Sequence, residues 1–207
     1  MKKKLISLML IGILGGATLF ASMNFLPLEA SSSDRSNQVI GSIFYLGTMN
    51  SDISASSIGV AAFYQNKLND NIGIYANGGV GKAFGFKFKN ITDPLENTVA
   101  VFIQSGPYYL IELQDNMLVK VGAGVDIAMF GGKNASNGNE NVALSFGVGA
   151  FGAYEYVLID NLTLVGALNL GFDFVTWMTN TTTGDFERDN VGVIVNIMPS
   201  VGVSYSF

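Results

Sequence analysis

VGVIVNIMPSVGVSYSF, residues 191–207, alternates between two kinds of side chain along its whole length. One face carries Val191, Val193, Val195, Ile197, Pro199, Val201, Val203, Tyr205 and Phe207; the other carries Gly192, Ile194, Asn196, Met198, Ser200, Gly202, Ser204 and Ser206. Successive side chains of a strand project to opposite sides, so a period of two over this length marks one long strand with an apolar face. Residues 162–177 repeat the pattern, setting Leu162, Leu164, Leu168, Leu170, Phe172 and Phe174 against Thr163, Val165, Ala167, Asn169, Gly171 and Asp173. Residues 117–130 do so again, with Val119, Val121, Val125 and Ile127 opposed to Lys120, Gly122, Gly124 and Asp126.

Turn signals divide the rest of the chain. Leu68-Asn69-Asp70-Asn71, Leu113-Gln114-Asp115-Asn116 and Leu158-Ile159-Asp160-Asn161 share a signature, and their Asp-Asn pairs recur every 45 residues. Asp and Asn tolerate left-handed backbone and cap tight turns with their own side chains, so these are hairpin turns. Longer polar segments lie between them at 50–56, 89–97, 131–140 and 178–190. Eight strands result, over 38–49, 57–66, 72–88, 98–113, 117–130, 141–158, 162–177 and 191–207. A period of 45 also suits a propeller blade, but a blade needs four short strands per repeat and each repeat here holds two long ones. The expected fold is all-β, an eight-stranded antiparallel up-and-down barrel with short turns at one end and longer loops at the other.

The compartment follows from the chain's start and from its greasy face. Lys2, Lys3 and Lys4 precede an apolar stretch from Leu5 to Phe20, the layout of a secretory signal spanning 1–30, with cleavage after Ala21 or Ala30. Residues 31–207 then form a single barrel domain. Beyond the leader, no apolar run approaches the ~20 residues of a membrane helix. Yet 49% of the chain is hydrophobic and only 13% charged, so strands must bury that surface. A secreted lipocalin-like carrier would turn the greasy face inward; a membrane barrel turns it toward lipid. Glycines and isolated charges crowd the less greasy face, which suits a narrow wet lumen. Tyr64, Tyr109, Tyr154, Tyr156 and Tyr205 fall near the turn end of the even-numbered strands, and Tyr45, Phe84, Phe86 and Phe88 near the loop end. Amphipathic rings gather where hydrocarbon meets headgroups, so the two sets read as girdles.

The ending Val203-Ser204-Tyr205-Ser206-Phe207 resembles the C-terminal signal of bacterial outer-membrane barrels. With the leader, it makes the chain similar to the small eight-stranded barrels of the OmpA membrane domain, OmpX and OmpW type. That resemblance implies insertion in the outer membrane, with Tyr205 and Phe207 recognised by the barrel-assembly machinery and the loops on the cell surface. No ligand-binding residues carry over from those families. Pro107 and Pro199 interrupt expected strands and require bulges or non-bonded positions. Lys82 falls on the outward face, where it snorkels to headgroups unless Gly78-Gly79 forms a bulge that turns it inward.

The chemistry available is narrow. The chain has no His and no Cys, which excludes Ser-His-acid catalysis, His-ligated metals, disulfides and thiol chemistry. Its net charge of −5 lacks the clustered Lys and Arg of a nucleic-acid footprint. No cofactor is implied. Three lumen groups stand out. Glu112, Lys120 and Glu155 face inward near the turn end and must pair to be tolerated. Asp126 and Asp173 face the upper lumen as a carboxylate pair, in the plainer reading only wetting it. Phe63, Phe102 and Phe151 either plug the middle or line a narrow apolar pocket; an eight-stranded interior is just filled by side chains, which favours the plug. The leading functional expectation is a non-enzymatic barrel that serves the envelope structurally or meets host or phage ligands through its loops. The OmpW resemblance implies an alternative, a narrow passage for small or hydrophobic solutes, and a soluble ligand carrier stands third.

Overall fold

The computed structural model describes residues 37–50, 52–88, 95–114, 116–134, 140–159, 161–179, 186–189 and 192–207; the expected leader at 1–30 lies outside the described residues. The strands are β1 (Asn37–Met49), β2 (Ile53–Lys67), β3 (Ile72–Phe88), β4 (Leu95–Gln114), β5 (Met117–Asn134), β6 (Glu140–Ile159), β7 (Leu162–Thr179), β8 (Phe186–Asp189) and β9 (Ile194–Ser206). Each of β1 to β7 pairs antiparallel with the next, and β9 lies between β7 and β1, so the sheet closes on itself. The short β8 pairs with the loop end of β7 and prolongs the line of β9. Eight staves therefore make the barrel, and among the described residues there is no helix.

Closure is staggered. A row of outward side chains runs through Ile43, Val60, Val80, Val101, Met129 and Leu144 to Trp177 on β7. The same row followed the other way, through Val201, meets β7 at Gly166 instead. The offset is the shear that tilts the strands and closes the barrel.

The repeated Asn has one repeated task. The carbonyls of Asn71, Asn116 and Asn161 accept hydrogen bonds from the backbone N–H groups of Leu110, Val157 and Ser206 respectively, at 2.7, 2.9 and 3.0 Å. Each ties its hairpin turn to the far neighbouring strand. In the first turn it is Asn69 that caps: its Oδ1 accepts from the N–H groups of Asn71 at 3.0 Å and Ile72 at 2.8 Å. Asp115 and Asp160 lie outside the described residues.

The loop end differs from the expected layout. The segment 50–56 is no long loop, because β2 begins at Ile53 and Asn50 caps the turn by accepting from the N–H groups of Asp52 and Ile53. Its serines are loop-like in composition, but Ser54 and Ser56 face outward on the strand, on either side of a register shift against β3, while Ile53, Ala55 and Ser57 are buried inside. At 178–190, β7 runs on to Thr179 and β8 pairs with it. The expected continuous strand 191–207 is broken instead at Gly192, whose φ of 75° is one that L side chains rarely adopt.

Neither proline makes a bulge. At Pro107 the β4–β5 pairing skips from Ser105↔Val125 to Tyr108↔Gly122 without a change of register, and at Pro199 the β1–β9 pairing skips likewise. Each proline thus faces an unbonded stretch of one neighbour. Register also runs unbroken across Gly78 and Gly79, so Lys82 stays on the exterior. A register shift does occur in β7, where Gly147 pairs with Asp173 and Phe146 with Val175, and beyond it Thr176 takes the inward position.

Large apolar side chains stand exposed on the outer wall: Ile43, Ile58, Val60, Val125 and Phe174 are each about 60% accessible. A water-soluble carrier does not expose a continuous belt of this kind, whereas a barrel in hydrocarbon requires one. Tyr109, Tyr154, Tyr156 and Tyr205 are exposed at the turn end, and Tyr64 is half-buried, its hydroxyl donating to Asn37 Oδ1 at 2.6 Å. At the loop end Tyr45 contacts Phe84, with ring centroids 6.5 Å apart, and Phe146 meets Trp177 edge-on at 5.3 Å. Phe146 and Trp177 thus extend the expected upper girdle; the side chains of Phe86 and Phe88 lie outside the described residues.

Candidate functional site

The lumen is built from the inward positions of all eight staves, in three tiers. At the turn end, β5 projects Lys120 and β6 projects Glu155, both buried, with their charged atoms 2.8 Å apart. Lys120 also donates to Oε1 of Gln38 on β1 and of Gln65 on β2. Gln38 Nε2 in turn donates to Glu155 Oε2 at 3.2 Å and to Ser204 Oγ at 2.6 Å. The ammonium lies 5.5 Å from the centroid of the Tyr108 ring. One cation therefore ties three sides of the barrel together.

Glu112 does not join this group. It shares the inward face of β4, but it sits below the buried Tyr108 and Leu110, beside a register shift at the strand's end, and is exposed. Gln38 and Gln65 occupy the place expected for it. Both glutamines are uncharged and so do not stand out in the sequence as ion-pair members, although the alternation of β1 and β2 assigns each to the inner face.

The middle tier is aromatic. Phe63, Phe102 and Phe151 are all buried in the lumen, and two further rings join them. Phe44 packs edge-on against Phe102 at 5.1 Å between centroids, and Tyr75 lies 4.4 Å from Phe151. Across the same level, Asn77 Nδ2 donates to Asn169 Oδ1 at 2.9 Å.

The upper tier is acidic. Asp126 on β5 and Asp173 on β7 are both buried, and a single amide serves both. Asn196 Nδ2 on β9 donates to Asp173 Oδ2 at 2.8 Å and reaches Asp126 Oδ2 at 3.4 Å. Ser145 Oγ also donates to Asp173, Gln104 Nε2 reaches Asp126 Oδ1 at 3.4 Å, and Thr48 Oγ1 holds Asn196 by its Oδ1 at 2.7 Å. The intervening strand β6 and the facing part of β7 are small-residue walls here. A Cβ on Gly171 would come 2.0 Å from Asp126 Oδ2, so only glycine lets that carboxylate lie against the wall. Tyr205 and Phe207, the expected assembly signal, are exposed on the exterior with their rings stacked at 6.4 Å.

No protein-family profile matches the sequence, and no curated protein is significantly similar to it. Solved structures do match in three dimensions. Neisserial surface protein A, NspA, superposes with a TM-score of 0.57 at 16% identity, over 83% of this chain and 97% of its own. Outer membrane protein OprG from Pseudomonas aeruginosa gives 0.56 at 13% identity, covering 83% and 96%. Ail, the attachment invasion locus protein of Yersinia pestis, gives 0.53 at 8%, covering 83% and 99%, and has also been solved with the heparin analogue sucrose octasulfate. Identities this low speak for the fold. Together with the apolar exterior and its two aromatic girdles, they place the chain in the outer membrane, as a barrel of the small eight-stranded outer-membrane type.

Proposed function

We propose that this protein is a non-enzymatic outer-membrane barrel whose role is structural or is exerted at the cell surface, where its loops meet host or phage ligands, and that its lumen is not a conduit. The supporting observation is the filling of the lumen at every level: the Lys120–Glu155 group, the five central rings with Phe102 among them, and the Asp126–Asp173 group above them. Eight strands leave an interior that side chains fill, in contrast to the water-filled bore of a sixteen-stranded porin. The name of Ail, and its complex with a heparin analogue, agree with a surface-contact role for this architecture. Tyr205 and Phe207 are the residues through which the assembly machinery would engage the strand.

Conductance tests the reading. The unmodified protein in planar bilayers is expected to show at most small, unstable currents. The variant combining Phe44→Ala, Phe63→Ala, Phe102→Ala and Phe151→Ala is expected to conduct more, provided heat-modifiable gel migration shows that it folds. Large, stable conductance from the unmodified barrel would refute the plug and make a passage for small or hydrophobic solutes the better account.

A further inference from the structure

We propose that the outer face of β1–β3 at the loop end is a docking surface for the phosphate groups of anionic lipids in the surrounding leaflet, with Lys82 and Lys87 as its cations. Charge is sorted between the two faces of the wall. The chain carries 16 acidic residues against 11 basic ones, yet the described acids of β1 to β7 leave the exterior almost free of negative charge. Glu112, Asp126, Glu155 and Asp173 lie on inward faces, and the other two, Glu96 and Glu140, pair in register with Lys133 on either side of it. Neither Lys82 nor Lys87 faces an acid across the sheet. Lys82 stands between Ile58 and Val99, and Lys87 stands opposite Ser54. Both lysines are exposed.

An irregularity in β3 puts Lys87 on this face. Ala83 is buried inside, so strict alternation would turn Lys87 into the lumen. Ser56 pairs with Phe84 but Ser54 pairs with Lys87, so β3 carries one residue more than β2 over this stretch. Residues paired across a sheet share a face, and Ser54 faces outward. The extra residue thus re-aims the ammonium to the exterior, as bulges do. The neighbouring side chains suit the membrane interface. Tyr45 and Phe84 lie on the same face with ring centroids 6.5 Å apart, and the Tyr45 hydroxyl meets Ser56 Oγ at 2.9 Å. Such rings belong at the level where acyl chains give way to headgroups. A lysine there lays its stem along apolar surface and lifts its ammonium toward water. In the headgroup layer an ammonium with no carboxylate opposite it attracts the phosphate of anionic lipids, because the low-dielectric wall beside it weakens screening.

The test uses the full barrel refolded into phosphatidylcholine vesicles, with the reporter change Ile58→Trp/Trp177→Phe, which moves the chain's single Trp beside Lys82. Quenching by dibrominated phosphatidic acid is compared with quenching by dibrominated phosphatidylcholine at the same mole fraction. Phosphatidic acid is expected to be favoured at this position at least ~fivefold, the attraction typical of two basic residues beside anionic headgroups. With Lys82→Gln/Lys87→Gln added, the preference should fall to near unity. Lys133→Gln is the control: it also removes an exposed cation, but one that stands opposite Glu96 and Glu140, and it should leave the preference unchanged. Heat-modifiable gel migration shows that each protein folds; should the double variant fail to fold, Lys82→Gln alone is expected to lower the preference at least ~twofold. Equal quenching by the two lipids in the lysine-bearing reporter would overturn the proposal. So would a preference that survives the loss of the lysines, or one that Lys133→Gln lowers as much, since the attraction would then belong to the surface as a whole.

Discussion

Lys120→Met is expected to cost about 3–5 kcal/mol of folding free energy, the penalty typical of removing one member of a buried ion pair. The size follows from what stays behind. Glu155 is 1% exposed, and without the ammonium it keeps only the Gln38 amide at 3.2 Å. The Oε1 atoms of Gln38 and Gln65 lose their donor in the same step. The second change Glu155→Gln removes the stranded charge, so Lys120→Met/Glu155→Gln should recover most of the loss. Urea unfolding of the four proteins in detergent gives the cycle, with an expected coupling of at least ~1 kcal/mol between the sites. A loss under 1 kcal/mol for Lys120→Met, or strict additivity, would mean that the pair does not hold the turn end together. Glu112→Gln is the control: exposed at the rim, it should change stability by less than ~0.5 kcal/mol.

The outer wall carries the second large effect. Val125→Arg and Leu168→Arg each put a charge between the two aromatic girdles, where the cost is ~2–4 kcal/mol in a bilayer. Val125 is 59% accessible on the exterior and Leu168 44%. In water, a barrel would accept arginine at such exposed sites almost freely, so refolding into phosphatidylcholine vesicles separates the two environments. Ala128→Ser is the matching lumen change: it adds one hydroxyl next to Ser145, which donates to the Ala128 carbonyl at 3.3 Å. If Val125→Arg folds into vesicles as well as Ala128→Ser, the exposed belt does not face hydrocarbon and the membrane placement falls.

How much of this was legible beforehand depended on whether the signal was local. The barrel was legible because its two determinants act over short distances: alternation within each strand, and Asn-rich turns between them. The lumen's inward faces followed from the same alternation, which is why Lys120, Glu155, Asp126, Asp173 and three of the five central rings could be named. The serine-rich start of β2 misled, because serine is common both in loops and on a half-buried strand; the Tyr45 hydroxyl meeting Ser56 Oγ at 2.9 Å ties that residue into the sheet. The break at Gly192 was hidden by an alternating pattern that continues straight through it.

By itself, the sequence determined that there are eight staves, which side of each is apolar, and that a histidine-free lumen must be quiet toward hydrolytic chemistry of the serine-histidine kind. Only the closed structure decided which inward residues meet. Strand stagger sets height, and height cannot be read from a single strand, so Glu112 slid to the rim while Gln38 and Gln65 arrived from the opposite wall to bind Lys120. Closure likewise brought Asp126 and Asp173 to one amide across an intervening strand, through a wall that Gly171 keeps open. Alternation is a property of neighbouring residues. Pairing across a lumen is a property of the whole ring, and it exists only once the last strand has found the first.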